Sequence, residues 1–485
     1  MHKHTDMLWE KMLLRYRALS APVKASFWFA LCSFVQKGIS FITVPFFTRL
    51  MSAEQYGLYS LYLSWDSIII IFATLNLSYQ VFNNGLLKYS DDEDGYTTSM
   101  MGLSGVCTSI LFVLYLIFHE KINALSGLNT PLFLLMFVQY YFSQAVSLWI
   151  VKEKYHYRYK GAVAVTLTLA VASSAFGIVA VMLSEDKVFA RVASIALMYL
   201  LIGAIIIINM LSKSRTLLSR KYWKYVLLLN LPLIPHYLSL TALGSVDRIL
   251  INSICGATAV AYYSVAFNVA SVLKVLLSSI NNSFIPWFYQ SMRSKNDDDI
   301  SMVSTELLIG VAGVSLLPAL FGPEIISILG SPDYMEGVWI MPAVSAGVYF
   351  TFVYSLFSNF ELYYDESRIM MVASIGAALF DMAINFALLP VFGFIAAGYV
   401  SLACYILLSI FHFAGMKLVS REKGHGAIPF NMKSIVTVSA GVLALSIVVL
   451  CLYCSSIARY LAIVLLFVGI ILKRKKLVSV IRKMK

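Results

Sequence analysis

The chain has 485 residues, of which 60% are hydrophobic and 13% charged, and its mean hydropathy is +0.79. Soluble domains are about half apolar and about a quarter charged, so this composition argues against a soluble protein and indicates a membrane protein. The net charge of +12 does not indicate nucleic-acid binding, because the basic residues form short clusters between apolar segments.

Apolar stretches of about 20 residues, each long enough to cross a membrane as a helix, recur about fourteen times. They lie at 25–47, 57–84, 97–118, 131–151, 161–183, 190–211, 225–246, 257–285, 304–321, 338–360, 369–390, 394–416, 433–454 and 457–472. Residues 1–24 precede them and form either an amphipathic segment on the cytoplasmic surface or a frayed tail. The predicted fold class is an all-α polytopic membrane protein.

The distribution of Lys and Arg predicts the orientation of these helices. The basic clusters at 152–160, 213–224 and 473–476 all fall on the same side as the N-terminus when the spans alternate. Because cytoplasmic loops are enriched in Lys and Arg, we expect both termini in the cytoplasm.

A weak internal repeat predicts two lobes. Residues 51–60 can be aligned with 255–264, and each segment opens the second helix of a possible six-helix unit. Lobes at 25–211 and 225–418 would then be parallel repeats joined by a cytoplasmic loop at 212–224. Two additional helices at 433–472 and a basic cytoplasmic tail at 473–485 would follow. The alternative is chance similarity in a sequence of biased composition.

Four charged residues fall inside the predicted spans, on polar helical faces. They are Lys37, Asp66, Lys274 and Asp381. A charge at the centre of a bilayer costs at least about 2.5 kcal/mol, so such faces should meet protein or water. We expect a hydrated cavity between the lobes, with Gln36 beside Lys37 and Asn281 on the face of Lys274. In the alternative, Lys37 pairs with Asp66 to join helices, and Lys274 reaches toward the inner surface.

Prolines predict bends in two spans. Pro232 and Pro235 each lack a backbone donor, so the seventh span should bend there, and Pro45 is a second candidate bend. His236 follows Pro235 and is either a proton carrier or a packed neutral histidine.

No catalytic or nucleotide-binding signature occurs in the short loops, so we expect no enzymatic activity. The six cysteines all lie in or beside apolar stretches. We interpret them as packing residues, and we expect neither a metal nor another cofactor.

Two motifs resemble a known family. The first motif is Phe47-x-Arg49-Leu50 followed by Glu54-x-Tyr56-Gly57-x-Tyr59, and the second is Asp247-Arg248 followed by Cys255-Gly256 and Tyr262-Tyr263. Both resemble motifs of polysaccharide exporters. These exporters belong to the multidrug/oligosaccharidyl-lipid/polysaccharide (MOP) superfamily. The resemblance is greatest to bacterial flippases of O-antigen and related lipid-linked oligosaccharides.

The resemblance implies a function in the bacterial inner membrane. Such proteins flip undecaprenyl-pyrophosphate-linked repeat units for lipopolysaccharide and related surface polysaccharides. Lys37 and Lys274 would bind the pyrophosphate, and Arg49 and Arg248 would meet the headgroup near the outer mouth or anchor the membrane interface. Asp66 and Asp381 would couple transport to H⁺ or Na⁺ or balance the lysines. A polysaccharide polymerase and a chain-length regulator are the partners implied.

Four alternatives remain open. The first is a cation-coupled multidrug exporter of the same superfamily, which would prefer an acidic cavity. The second is the lipid II flippase branch, with a more cationic first lobe. The third is a membrane polysaccharide polymerase or glycosyltransferase, which would need a long outer loop. The fourth is a scaffold, which would not need polar faces in both halves.

Overall fold

The computed structural model describes residues 20–79, 81–424 and 428–483 of the chain. Every regular element in these ranges is a helix, which confirms the predicted all-α fold. The amphipathic segment predicted at 1–24 lies almost wholly outside the described residues. The side chains of the basic tail predicted at 473–485 also lie outside them.

Eight helices precede residue 231 in the described chain. They are α1 (Ala21–Leu50), α2 (Ala53–Thr74), α3 (Val81–Lys88), α4 (Glu93–Ser126), α5 (Thr130–Tyr155), α6 (Tyr159–Leu183), α7 (Lys187–Lys213) and α8 (Arg220–Asn230). Asp92, Asn129 and Asp186 cap α4, α5 and α7 by accepting a hydrogen bond from a backbone N–H of the first turn. Such caps satisfy amides that have no partner within the helix.

Nine more helices follow in the described chain. They are α9 (Ile234–Cys255), α10 (Ala257–Arg293), α11 (Asp297–Leu320), α12 (Gly322–Leu329), α13 (Met341–Tyr363), α14 (Ser367–Phe392), α15 (Ile395–Glu422), α16 (Met432–Leu452) and α17 (Ser456–Lys483). A 3₁₀ segment at Pro332–Ile340 leads into α13.

Thirteen helical stretches of the described chain are long and apolar enough to cross a membrane. A further apolar helix, Ser456–Gly469, lies at the predicted fourteenth span. The polytopic character predicted from hydropathy is therefore confirmed.

Regular α-helix is interrupted in the seventh span at the prolines, where the sequence predicts a bend. A 3₁₀ turn at Leu231–Leu233 separates α8 from α9; it contains Pro232, and Pro235 is the second residue of α9. The missing proline donors explain why regular α-helix stops there. By contrast, α1 runs without interruption through Pro45.

The chain forms two compact units, and the division passes through α1 and α2. The first unit comprises Met1–Thr43 and Ile69–Ile234, and the second comprises Val44–Ile68 and Pro235–Lys485. The lobes predicted at 25–211 and 225–418 concern an internal repeat, which this division does not test, and they stay a prediction.

Each unit has its own apolar interior. In the first unit, the buried side chains of Phe82 and Tyr96 stack with their ring centroids 5.4 Å apart. In the second unit, α13 is buried along most of its length and packs against α11, α14 and α15. Polar side chains on α14 and α15 are thereby drawn into the interior of the second unit.

Candidate functional site

A buried polar network in the second unit centres on Asp247 of α9, which is 1% exposed. The Ser401 hydroxyl donates to Oδ2 of Asp247 at 2.8 Å, and the Tyr263 hydroxyl donates to the same oxygen. The Asn385 amide donates to Oδ1 at 2.9 Å. These donors stabilise a carboxylate that burial alone would destabilise. One side chain thus connects α9 with α10, α14 and α15.

Asp381 adds a second buried carboxyl to this network. It lies one turn before Asn385 on α14, is 2% exposed, and accepts a hydrogen bond from the Cys404 thiol at 3.1 Å. Its carboxyl interacts directly with that of Asp247. Two adjacent buried carboxylates repel one another, so a bound proton or cation would stabilise the pair by neutralising part of its negative charge.

Two oxygens of the network are available to such a cation. Oδ2 of Asp381 and Oδ1 of Asn385 are buried and accept no hydrogen bond within the described part of the chain. Carboxylate and amide oxygens are the ligands that hard cations prefer. In the same ranges no group of three or more His, Cys, Asp and Glu side chains could hold a metal ion. A cation here would therefore use amide and hydroxyl oxygens besides the two carboxylates.

Lys274 of α10 lies near the network. Its Nζ donates to the Tyr405 hydroxyl at 2.7 Å and lies 4.9 Å from the Phe267 ring centroid. Tyr405 is one turn after Ser401 on α15. A small cavity beside Lys274 is lined by Phe267, Ser401, Tyr405, Ala343 and Gly347. Lys274 thus lies against aromatic rings inside the unit, which is not the extension toward the inner surface considered as an alternative.

The two candidate arginines have different surroundings. Arg248 donates from Nε to the Ser264 hydroxyl at 2.9 Å and from Nη1 to the Gly244 carbonyl at 2.7 Å. Arg49 donates to the carbonyls of Pro45 at 3.0 Å and Ser327 at 3.4 Å but is largely exposed. These contacts favour an anchoring role for Arg248 and leave Arg49 accessible.

The two sequence motifs come together in the second unit. Tyr56 and Tyr262 both pack edge-on against Tyr334, with ring centroids 6.2 and 5.8 Å away. A Cβ atom on Gly57 would overlap the Ala257 carbonyl oxygen, so only glycine permits this approach of α2 to α10. Part of each motif therefore forms a helix junction.

Asn281 and His236 lie outside the Asp247 network. The Asn281 side-chain oxygen accepts a hydrogen bond from the Asn359 amide at 2.8 Å. His236 on α9 is partly buried, and its Nδ1 has no hydrogen-bond partner within the described ranges. Among the described residues, neither side chain hydrogen bonds to Asp247 or Asp381, so neither belongs to the Asp247 network.

The remaining predicted site residues lie on α1 and α2. Gln36 and Lys37 are exposed on α1 in the first unit, on one helical face with Ser33 and Ser40. Asp66 is partly buried on α2, one turn after Tyr62, and belongs to the second unit. Pairing of Lys37 with Asp66 stays a prediction.

Sequence reasoning missed a second buried ionisable pair. Glu361 and His412 are 0% and 2% exposed, and His412 Nδ1 lies 2.7 Å from Glu361 Oε2. The predicted tenth span ends at residue 360, which leaves Glu361 in a loop, and His412 is not among the candidate residues predicted from the sequence. An ionisable residue inside a predicted span is the signal for His412, whereas Glu361 lies one residue beyond its predicted span. Tyr263 and Ser401 gave no comparable signal, because hydroxyl groups are common in apolar helices.

Many apolar helices, with charged side chains buried among them, define a polytopic membrane protein. The chain belongs to the polysaccharide biosynthesis protein family, whose model matches residues 23–292. This match confirms the resemblance found in the two motifs. A protein named for the Lsg locus of Haemophilus influenzae is 25% identical over an alignment of 171 residues that covers 33% of this chain. The aligned part spans only 40% of that relative.

Solved structures of the MOP superfamily share the fold. The lipid II flippase MurJ in its inward closed conformation matches with a TM-score of 0.70 and 15% identity, over 92% of this chain and 99% of MurJ. An inward-facing multidrug resistance MATE transporter matches with a TM-score of 0.57 and 13% identity, over 81% and 96% of the two chains. A MOP transporter of Pyrococcus furiosus matches with a TM-score of 0.56 and 13% identity, over 83% and 96%.

Proposed function

We propose that this protein flips undecaprenyl-pyrophosphate-linked oligosaccharide units, such as O-antigen repeats, across the bacterial inner membrane by cation-coupled alternating access. The observation that carries the proposal is the Asp247 network, which puts charged groups inside apolar helices of a polysaccharide biosynthesis protein. Intramembrane charges are costly and commonly mark a transport path. Both termini would be cytoplasmic, and a polymerase and a chain-length regulator would act on the exported units.

The exposed polar face of α1 is the proposed contact for the cargo. A pyrophosphate carries negative charge and is bound most strongly by charged donors. Lys37 provides an exposed ammonium group, and Gln36, Ser33 and Ser40 on the same face offer donors and acceptors for sugar hydroxyls. Lys274 and Arg49 are further cations in the second unit, and Lys274 borders a cavity.

The Asp247 network is the proposed coupling site. Protonation of the Asp381 carboxylate, or binding of Na⁺ by the oxygens of Asp381 and Asn385, would reduce the repulsion between the two carboxyls. A cation can shift a conformational equilibrium only if it binds one state more tightly. Residues of α9, α14 and α15 form this site, so any relative movement of these helices would change its affinity. Asp66 and His236 stay secondary candidates for coupling.

A cation-coupled multidrug exporter is the second candidate, favoured by the buried acidic pair. A cationic drug, however, needs accessible negative charge, and Asp247 and Asp381 are 1% and 2% exposed. Among the charged candidates for the cargo path, the exposed ones, Lys37 and Arg49, are basic, whereas the acidic Asp66 is partly buried. This distribution of charge favours an anionic cargo.

Purified protein in liposomes tests the choice between the two cargoes. The assay follows a fluorescent undecaprenyl-pyrophosphate oligosaccharide from one leaflet to the other and, in parallel, the movement of ethidium. We expect protein-dependent movement of the lipid-linked sugar and none of ethidium. Movement of ethidium alone would establish the exporter, and equal lipid movement with and without protein would exclude the flippase.

A further inference from the structure

Glu361 and His412 form a buried pair that the proposed coupling site does not use. Glu361 lies in the last turn of α13, which ends at Tyr363, and His412 lies on α15. Neither is accessible to solvent, and the imidazole Nδ1 is 2.7 Å from the carboxylate Oε2. A buried charge this close to the end of a helix needs either a structural or a functional reason.

One carboxylate oxygen of the pair lacks a hydrogen-bond partner in the described chain. This oxygen, Oε1 of Glu361, is buried. A Cβ atom on Gly415 would overlap this oxygen, so the absence of a side chain there lets the carboxylate approach α15. A purely structural buried ion pair repays its desolvation only when its remaining lone pairs are also bonded. The free oxygen therefore favours a site that takes up a ligand.

A proton is the ligand that fits the pair. Metal cations require several oxygen or nitrogen ligands, whereas the pair offers one carboxylate and one imidazole. Within the described ranges no group of three or more ionisable side chains could bind a metal here. A carboxylate and an imidazole in hydrogen-bond contact can hold a single proton between them.

Polar side chains extend from this pair toward Asp247. His412, Tyr405 and Ser401 are spaced so that they share one face of α15. Tyr354 of α13 stacks on the His412 ring, with centroids 5.6 Å apart. It also interacts electrostatically with Lys274 and Tyr405. Lys274 then donates to Tyr405, and Ser401 donates to Asp247.

Other titratable groups surround the pair on several helices. Within the described chain, His412 is the group whose charge acts directly on Glu361. Tyr354 faces His412 from α13, and Lys274 of α10 lies beyond Tyr354. At the same end of the helices, Lys423 pairs with Glu366 at 3.2 Å, and both of these side chains are partly exposed. The Glu366–Lys423 pair is thus a matched control for the buried one.

We propose that Glu361 and His412 form a proton-binding site that exchanges protons with the Asp247–Asp381 pair along the polar face of α15. This proposal rests on the proposed function being cation-coupled. Uptake of one proton at Oε1 converts the Glu361 carboxylate to the neutral acid, and its release restores the carboxylate. The hydroxyl groups of Tyr354, which stacks on His412, and of Tyr405, which accepts from Lys274, are the exchangeable groups between the two sites.

Infrared pH titration of the protein in lipid nanodiscs tests the site without any transport. We expect a protonated carboxyl band that titrates in the wild type, is lost in Glu361→Gln and persists in Glu366→Gln. Identical carboxyl bands in the wild type and Glu361→Gln at every pH would overturn the proposal. Because no cargo is involved, this result is independent of whether the protein flips a lipid.

Transport in liposomes tests the connection to Asp247. His412→Asn keeps a side-chain donor near the position of Nδ1, so it should disturb folding less than a larger substitution would. It should slow the pH-driven movement of a labelled lipid-linked oligosaccharide about tenfold, or about 1.4 kcal/mol, while movement without a pH gradient continues. An unchanged response to the pH gradient would contradict the proposal. Failure of the wild type to move lipid would instead refute the proposed function and leave the infrared result standing.

Discussion

The polar faces of α1 and α15 are alike in sequence and differ in the structure. On α1, Gln36, Lys37 and Ser40 are exposed, and the Ser40 hydroxyl bonds to the Gln36 carbonyl of its own helix. On α15, Ser401 and His412 are buried and hydrogen bond to carboxylates on other helices. Polar residues at helical spacing thus produce an open face in one unit and a closed network in the other.

This difference separates two roles that charged residues take in membrane helices. An exposed lysine keeps its donors available for a ligand, whereas a buried carboxylate with several donors is held in one position. We infer that α1 is suited to contact cargo and that the Asp247 network is suited to bind a small cation. Substitutions on α1 should therefore reduce transport of the cargo, and substitutions in the Asp247 network should reduce its dependence on an ion gradient.

The largest effect is expected at Asp381. Asp381→Asn keeps the size of the side chain but removes the charge that a coupling cation would neutralise. We expect gradient-driven transport in liposomes to fall about 100-fold, or about 2.7 kcal/mol, while movement of cargo without a gradient continues. The conservative variant Asp381→Glu is the control and should retain part of the coupling. Full gradient-driven transport in Asp381→Asn would show that the network is only structural.

A smaller effect is expected at Lys37. Lys37→Ala removes an exposed ammonium group that, among the described residues, has no hydrogen bond or ion pair, so the fold should be unaffected. We expect surface polysaccharide to fall about tenfold or more at an unchanged membrane level of the protein, measured by sugar staining and immunoblotting. Lys37→Arg preserves the charge and should restore most of the polysaccharide. A normal amount of polysaccharide in Lys37→Ala would remove this residue from the transport path.

The smallest effect is expected at Arg248. Arg248→Lys cannot reproduce both hydrogen bonds of the guanidinium group, to Ser264 and Gly244. We expect a loss of about 1 kcal/mol in thermal stability, measured in detergent, with the transport rate per folded molecule nearly unchanged. A large loss of transport at unchanged stability would instead assign Arg248 to the cargo path.

The sequence predicted those parts of the structure that have local causes. Apolar stretches of about 20 residues predict spans, and Pro232 and Pro235 predict the break at Leu231–Leu233 because each removes a donor. The Asp247 network depends on partners 138 and 154 positions away. No local pattern indicates which of several polar helices will face one another. Glu361 was missed for a local reason, since the predicted span ended one residue before it.

We propose that cation binding at the Asp247 network drives movement of a lipid-linked oligosaccharide. The most direct measurement follows a labelled undecaprenyl-pyrophosphate oligosaccharide in liposomes with imposed H⁺ or Na⁺ gradients, for the wild type and Asp381→Asn. We predict that one of the two gradients accelerates movement in the wild type and neither does in Asp381→Asn. Equal acceleration in both proteins, or none in the wild type, would contradict the claim.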